Sequence, residues 1–492
     1  MNKRNLFGGA SGDSVLLVLV RIVTILLGLV ITRILSQELS QYDYGTYSQV
    51  LLIVSTVSSL TILGMSDGIN YFFCRESDSE KKSVYVSTIF TLQYIVSLIA
   101  AIIVLSGTAL ISRYFNNDAL KNLMMFAAVL PFFQNIIQML QILFVSIGKA
   151  RAIAVRNVVV SVIRLIAVVI ACYLIKSVVV VLLATLVLDV AQILYFVITL
   201  RRNNCKIQIK KTRLALCKEI ISFCLPMAIF LLVNSLCRDC DKYLIAAVTD
   251  TETLAVYTNA SKMLPFDIIM ASFCTVLLPY ITKFIANKDY QKTVALYREF
   301  LELSYVTTAI LAGAAFSGAG SLMTLLYSEK YLSGLPVFMI YICVDIVRFL
   351  GITLILSAAG RSKILVVISA AALLANVALN FALYYLLGVV GPAIATLLVT
   401  FVMGIVILIF SAKTLHAKIG AFFHKKYILL FTGELILNIA LWSVIHEMLS
   451  HRIHYFLALC ITAGGFALVM GALNVKRLMK CLKDIGKYKL IQ

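Results

Sequence analysis

Fourteen long apolar runs dominate this sequence, and each has about the length that a helix needs to cross a bilayer. Within hydrocarbon a chain must satisfy its own backbone N–H and C=O groups, so only helices and closed barrels can span it. Hydrophobic residues make up 61% and charged residues 13% of the 492 residues, whereas soluble domains average about 45–50% and about 25%. We therefore predict an all-α polytopic membrane protein. The predicted spans are 14–35, 45–66, 83–107, 119–147, 152–174, 177–200, 219–248, 257–286, 301–327, 333–357, 362–387, 389–415, 426–447 and 452–474.

The positions of the basic residues determine the predicted orientation. The net charge is +20, and with the N-terminus inside, 31 of the 43 Lys and Arg residues fall at inner segments and only 5 in outer loops. Short cytoplasmic loops of membrane proteins carry such an excess. Both termini are therefore predicted to be cytoplasmic. Because the charge follows the topology and no basic domain exists to hold it, we expect no nucleic-acid partner.

Two pairs of similar segments indicate an internal duplication. The stretch "YDYGTYSQV" follows the first predicted helix and "ETLAVYTNA" the seventh, which places Tyr47 and Tyr257 210 residues apart. The stretches "GKARAIAV" and "GRSKILVV" precede the fifth and eleventh helices with an offset of 212. Six helices per copy is an even number, so both copies would enter from the same side as a parallel repeat.

This repeat predicts two six-helix lobes followed by two further helices. The predicted organisation is an N-lobe (1–200), a basic cytoplasmic linker (201–218), a C-lobe (219–415), helices thirteen and fourteen (416–474) and a basic cytoplasmic tail (475–492).

The seventh predicted helix carries a charged face inside an apolar segment. Helical spacing places six polar side chains on that face: Asn234, Ser235, Arg238, Asp239, Asp241 and Lys242. A charge facing lipid at that depth costs about 2.5–3.5 kcal/mol, so the face must contact protein or water. Two interpretations are open, a packing cluster that neutralises itself and the wall of a hydrated cavity.

Polar side chains recur at helical spacing in other predicted spans, which favours a cavity. Arginine matches phosphate oxygens with two parallel hydrogen bonds, and the first lobe has a surplus of Arg, so we expect an anionic substrate. Arg21 and Arg33 are near enough to the interfaces to extend into water instead. The candidates for a coupling ion are Asp239, Asp241 and Asp345. The candidates for substrate contact are Arg21, Arg33, Arg164, Gln134, Gln138, Asn234, Arg238, Lys242, Asn376 and Asn380.

Several short motifs resemble one family. After helix one comes "DYGTYSQ", and around helices seven and eight comes "DKYLIAAVTDTETLAVYTNASKMLP". "GRSK" (360–363) is followed by Asn376 and Asn380 and then by "GVVGPAIAT" (388–396). Together with the six-plus-six-plus-two arrangement, this resembles Wzx-type polysaccharide flippases of the multidrug/oligosaccharidyl-lipid/polysaccharide (MOP) exporter superfamily. Ala255 stands where that family often has Gly.

The resemblance implies a function and a location. Such proteins move undecaprenyl-pyrophosphate-linked oligosaccharide repeat units from the inner to the outer leaflet of the bacterial cytoplasmic membrane. It implies a lipid-linked oligosaccharide substrate, contact with membrane lipids and a role beside polysaccharide polymerase machinery. No cofactor is expected apart from a coupling ion, H⁺ or Na⁺.

Three alternatives remain at this point. A multidrug exporter of the same superfamily would carry organic cations, and the lipid II flippase branch is also close. A membrane-embedded polysaccharide-modifying enzyme is the alternative of another class. The sequence shows no nucleophile–base set and no metal-ligand pairs beyond Cys237-x-x-Cys240, so we expect no enzyme, no catalytic residue and no metal site.

Overall fold

The chain folds into helices throughout the part that can be described. The computed structural model describes residues 10–202, residue 207 and residues 211–487, and every regular element within these ranges is helical. The predicted all-α class is confirmed. The predicted linker 201–218 lies partly outside the described residues, as do the last residues of the predicted tail.

Contacts divide the chain into two compact units, Met1–Ala255 and Val256–Gln492. The first unit includes the helix over residues 217–248, which the sequence analysis assigned to the C-lobe. That helix packs against the second helix of the same unit. The two lobes of the proposed repeat stay a prediction.

The first unit contains nine α-helices in its described residues, and a tenth crosses the boundary between the units. They are α1 (Ala10–Glu38), α2 (Gln41–Thr61), α3 (Met65–Arg75), α4 (Ser79–Ser106), α5 (Thr108–Tyr114), α6 (Leu120–Ser146), α7 (Ala150–Ile170), α8 (Val178–Arg202), α9 (Cys217–Val248) and α10 (Thr251–Ala260).

The second unit continues with nine α-helices over its described residues. They are α11 (Ile268–Ala286), α12 (Tyr290–Ser317), α13 (Ala319–Tyr327), α14 (Leu335–Val347), α15 (Leu354–Ala358), α16 (Ser362–Leu387), α17 (Gly391–Thr414), α18 (Lys425–Ser450) and α19 (Tyr455–Lys487). Its main apolar core includes Tyr297, Phe300, Phe431 and Phe466, all at most 1% exposed.

Twelve segments of the described chain are long and apolar enough to cross a membrane. One of them, Ser362–Thr414, contains both α16 and α17, and α11 is not among the twelve. The chain is therefore a multi-pass membrane protein by length and composition. The number fourteen stays a prediction.

The predicted span 257–286 is not one helix. α10 ends at Ala260, a short 3-10 turn covers Pro265–Asp267, and α11 begins at Ile268. Proline has no N–H to donate and clashes with the preceding turn of a helix. Leu264, just before Pro265, lies outside both helices, and its backbone N–H donates to the Asp345 carboxylate at 3.0 Å.

The last helix is longer than its predicted span, which ended at residue 474. α19 continues to Lys487 because apolar positions recur every three or four residues beyond the membrane segment. Cys481 and Ile485 are each 2% exposed in the core of the second unit. The first part of the predicted tail is therefore helical and packed against the core.

The glycine of the first-lobe motif lies at a very close helix–helix approach. A Cβ on Gly45 of α2 would lie 2.2 Å from the carbonyl oxygen of Thr251, at the start of α10. Asp250 caps α10 by accepting from the Thr253 backbone N–H at 2.7 Å, and this hydrogen bond lowers the pKa of Asp250. Only glycine lets the two chain segments approach this closely.

We expect Gly45→Ala to destabilise the protein by about 1–3 kcal/mol, because the added methyl group must push Thr251 away. The measurement is thermal unfolding in detergent. Gly433→Ala is the control, since a Cβ there meets nothing within 4 Å. Equal unfolding midpoints for the two variants would show that the close approach is absent.

Candidate functional site

Four polar side chains form a continuous cluster between α7 and α8. The Arg164 guanidinium lies 3.6 Å from the Asp189 carboxylate. Gln192 donates to the same carboxylate at 3.0 Å and accepts a hydrogen bond from Arg156. The cluster therefore runs Arg156–Gln192–Asp189–Arg164 and joins two cations to one anion.

The cluster is buried at its centre and open at one end. Asp189 is 3% exposed as a side chain, whereas Arg164 is 40% exposed. Two nitrogens of Arg156, Nε of Arg164 and Oδ2 of Asp189 are buried without a hydrogen-bond partner among the described residues. With two guanidinium groups against one carboxylate, the cluster keeps a net charge of +1 and has donors available for an anion.

Helical spacing explains how the two helices build this cluster. Arg156 and Arg164 are eight residues apart on α7, which separates them by about 80° around the axis and about 12 Å along it. Asp189 and Gln192 are three residues apart on α8 and so share one face. α7 packs against α8, and the Arg156 guanidinium also lies over the Phe196 ring at 4.8 Å from its centroid.

Sequence reasoning missed two members of this cluster. Arg156 was counted among the inner-segment charges because it lies close to the start of its predicted span, but it is 7% exposed within α7. Gln192 was overlooked because no second amide repeats at helical spacing near it. The eight-residue spacing from Arg156 to Arg164 is the signal that could have found the pair.

The other two arginines of the first lobe that were predicted to bind the substrate, Arg21 and Arg33, lie on α1. α1 packs along α7, where Arg21 is exposed and Arg33 half-buried. α1 thus packs against one of the two helices that carry the cluster. The role of these two arginines in binding an anion stays a prediction.

The charged face of α9 forms ion pairs along its own helix. Asp239 accepts from the Lys242 ammonium at 2.7 Å, and Arg238 lies 3.6 Å from its other oxygen. Lys242 is 15% exposed and Arg238 is 53% exposed as side chains. Together with Asp241 on the same helix, these residues carry two positive and two negative charges, which matches the self-neutralising interpretation, with Arg238 still accessible.

The remaining α9 candidates are bonded locally. Asn234 donates to the Phe230 carbonyl at 2.7 Å, and Asp241 is 1% exposed and accepts from the Lys242 backbone N–H. Neighbouring hydroxyls join α9 to α2, where Ser59 donates to Ser235 at 2.9 Å. These short bonds hold the charged helix within the first unit.

On α6 the amide that is fully buried is not one of the predicted glutamines. Gln134 is half-buried and Gln138 exposed, whereas Asn135 is 0% exposed. Asn135 donates to Thr61 at 2.8 Å and also bonds Ser58, both on α2. Asn135 therefore joins α2 to α6, and the two glutamines stay candidates for substrate contact.

In the second unit the predicted polar residues are buried. The Asp345 carboxylate accepts from Arg348 at 3.1 Å as well as from the Leu264 N–H. Asn376 and Asn380 of α16 are each 1% exposed. The Asp345 contacts hold the break between α10 and α11 in place.

An apolar groove runs along α16 and α17. It has a volume of about 690 Å³ and is lined at its middle by Ala371, Ala372 and Ala375, with Lys363 near the start of α16. From Lys363 to Leu379, another lining residue, the helix rises about 24 Å at 1.5 Å per residue. The groove is therefore long and narrow, with a cation at one end.

A family of polysaccharide biosynthesis proteins matches this chain over residues 30–336. This chain belongs to that family. No curated protein sequence matches the chain.

Solved structures of MOP superfamily transporters have the same fold. The lipid II flippase MurJ in an inward closed conformation matches with a TM-score of 0.72 at 15% identity, over 94% of this chain and 100% of that chain. An inward-facing multidrug resistance MATE transporter matches with a TM-score of 0.68 at 15% identity, over 82% and 98%. A MOP superfamily transporter from Pyrococcus furiosus, described as having a binding pocket of reverse polarity, matches with 0.61 at 15%, over 85% and 98%. At these identities the likeness shows the fold.

For this member of the polysaccharide biosynthesis family, we expect Arg164→Ala to destabilise the fold more than Arg164→Ala combined with Asp189→Asn. The single change leaves the buried Asp189 charge with less compensation, at a cost of about 1–2 kcal/mol, which is less than for a fully buried pair because Arg164 is 40% exposed. The double variant removes that charge as well. Thermal unfolding in detergent measures the stability of the single and the double variant. Arg21→Ala, at an exposed position of α1, is the control. Additive effects of the two changes would contradict the pairing.

Proposed function

We propose that this chain moves undecaprenyl-pyrophosphate-linked oligosaccharide repeat units from the inner to the outer leaflet of the bacterial cytoplasmic membrane, for surface polysaccharide synthesis. Membership of the polysaccharide biosynthesis family supports the pathway. The fold shared with MOP transporters supports transport across a membrane. The observation that carries the proposal is the net cationic cluster of Arg156, Gln192, Asp189 and Arg164 within the membrane segments of α7 and α8.

A pyrophosphate suits this cluster chemically. Charge-assisted N–H···O bonds are about 2.7–2.9 Å long, so the 3.6 Å separation of Arg164 from Asp189 leaves the guanidinium loosely held. A phosphate group provides several acceptor oxygens that match the arginine fork. In our proposal the pyrophosphate binds the exposed side of Arg164, while Asp189, which accepts a hydrogen bond from Gln192, stays beside this arginine.

The apolar groove of α16 and α17 suits the lipid part of the same substrate. Its lining is aliphatic apart from Lys363 and Phe410, and a polyprenyl chain gains about 0.8 kcal/mol for each CH₂ that leaves water. We propose that the groove guides this chain while the head group crosses. The sugar would contact the polar side chains Gln134, Gln138, Asn234, Asn376 and Asn380.

Lipid II transport is the second candidate function, since the lipid II flippase MurJ matches over the whole of its own length. Lipid II also carries a polyprenyl pyrophosphate, so the cluster would serve either substrate.

Export of organic cations is disfavoured because the cluster has a net charge of +1. We further propose that transport is coupled to H⁺ or Na⁺ through Asp239, Asp241 or Asp345. The protein would work beside a polysaccharide polymerase.

Deletion of the gene should trap lipid-linked repeat units in the inner leaflet, and the wild-type gene should restore export. Arg164→Lys retains the charge beside Asp189 but loses the fork, so we expect export to fall about tenfold, as for a lost charge-assisted bond of about 1.5 kcal/mol. Arg164→Ala should nearly abolish export. Radiolabelled surface polysaccharide and inner-leaflet lipid intermediates are the measurements.

Arg113→Lys is the matched control, because Arg113 is exposed at the end of α5 outside the cluster. Wild-type export by Arg164→Ala at normal membrane levels would overturn the role of the cluster. Rescue of a lipid II flippase deletion, with repeat-unit export unaffected by loss of this gene, would favour the second candidate.

We also expect Ala375→Phe to slow export several-fold, because the ring fills the groove without entering the packed core. Ala378→Phe is the control on the same helix, since Ala378 is exposed and does not line the groove. Both variants are compared by transport and by thermal unfolding. Equal transport rates would remove the groove from the proposed substrate path.

A further inference from the structure

A polar cavity of about 390 Å³ lies in the second unit between α12, α18 and α19. These three helices pack on one another, and a Cβ on Gly313 of α12 would lie 2.5 Å from the Phe466 ring of α19. The cavity contains none of the candidate residues for pyrophosphate, sugar or ion. It therefore requires an explanation of its own.

Acidic and basic side chains line this cavity in equal number. The cavity is lined by three carboxylates (Glu299, Glu302 and Glu434), by three cations (Lys476, Arg477 and Lys480) and by His424. Glu302 already pairs with Arg477, and Glu299 with His424, so a ligand of a single sign would disturb this balance of charges. The lining instead matches a ligand that carries both signs.

Two buried atoms in the cavity wall point to a bound group. Glu302 is 5% exposed and accepts from the Arg477 Nε at 2.5 Å through Oε1. Its Oε2, and Nη2 of Arg477, are buried with no hydrogen-bond partner among the described residues. Leaving buried charged groups unsatisfied costs free energy. One acceptor and one donor are therefore available to a ligand.

Glu299, Glu302 and Arg477 lie inside the cavity, and the two lysines lie at its mouth. The Glu302 and Glu299 side chains are 5% and 10% exposed, whereas Lys476 and Lys480 are exposed. Glu299 already has His424 and Arg298 as partners, so Glu302 is the inner carboxylate with an available oxygen. A positive group would enter first, and a negative group would remain at the mouth.

The mouth also has an apolar side. Leu430 and Leu473 line the cavity and are 54% and 60% exposed. On α19 the apolar segment ends near Val475, and the basic sequence "KRLMKCLKDIGK" begins at Lys476. The cavity thus lies at the boundary between the apolar and the charged part of α19, where lipid head groups lie in a bilayer.

We propose that this cavity binds the phosphoethanolamine head group of a membrane phospholipid. The primary ammonium donates to Oε2 of Glu302, and the phosphate accepts from Nη2 of Arg477 and from Lys476 and Lys480 at the mouth. The acyl chains lie along Leu430 and Leu473. In such a lipid the ammonium is the group farthest from the acyl chains, which matches a carboxylate inside the cavity and lysines at its mouth. The inference is independent of the proposed transport activity.

The methylation state of the ammonium provides the sharpest test. A primary ammonium has three N–H donors, whereas the quaternary choline group has none and cannot hydrogen-bond to Glu302. The purified full-length protein is incubated with dioleoyl phosphatidylethanolamine, its N-methyl and N,N-dimethyl forms, phosphatidylcholine and phosphatidylglycerol. Native mass spectrometry then measures the retained lipid.

We expect retention to fall stepwise with methylation and to be at least tenfold lower for phosphatidylcholine than for phosphatidylethanolamine. Phosphatidylglycerol should also bind weakly, because it leaves Glu302 without a donor. Equal retention of all five lipids would overturn the proposal. If soluble phosphoethanolamine binds as tightly as the lipid, the proposal that the ligand is a membrane phospholipid is also overturned.

Variants test the two ends of the cavity separately. Lys476→Ala with Lys480→Ala should weaken phosphatidylethanolamine retention about tenfold, while Lys483→Ala, an exposed lysine outside the cavity, should leave it unchanged. Glu302→Gln should abolish the discrimination between ethanolamine and choline. If Glu302→Gln fails to fold, the lysine pair still decides the outcome, since equal retention by the pair and by Lys483→Ala contradicts the proposal.

Discussion

The structure depends on the absence of water within the hydrocarbon of a bilayer. Backbone groups are satisfied there by helices, and each ionised side chain needs a partner from the protein. Described carboxylates in the apolar segments follow this rule, with Asp189 beside Arg164, Asp239 beside Lys242 and Asp345 beside Arg348. Most charges that appear out of place in the sequence are thereby explained as ion pairs.

The same rule separates pairs that stabilise helices from a site that can bind. Asp345 has two donors at 3.0–3.1 Å and holds a helix break, so its role in packing is clear. In the α7–α8 cluster two guanidinium groups share one carboxylate, whereas the four charges Arg238, Asp239, Asp241 and Lys242 of α9 sum to zero. An excess of charge over partners, rather than the presence of charge, marks the candidate substrate site.

Close packing of small residues completes the architecture. Gly45 lets α2 approach the start of α10, and Gly313 lets α12 approach α19. Helices in lipid gain little from hydrophobic burial against one another, so contact at small residues and hydrogen bonds such as Asn135 to Thr61 stabilise their association. The cavity between α12, α18 and α19 forms where this packing gives way to the charged end of α19.

The sequence alone determined the helical class and the multi-pass membrane character, and it placed Arg164 and Asp189 in one predicted lobe, because length, hydropathy and helical spacing are local properties. It also predicted the charged face of α9. Only the tertiary structure decided that Arg156 is buried, that Asp189 and Gln192 connect it to Arg164, and that α10 and α11 are separate helices. Those outcomes depend on which side chains of distant helices meet, and helical spacing within one segment carries no information about its neighbour.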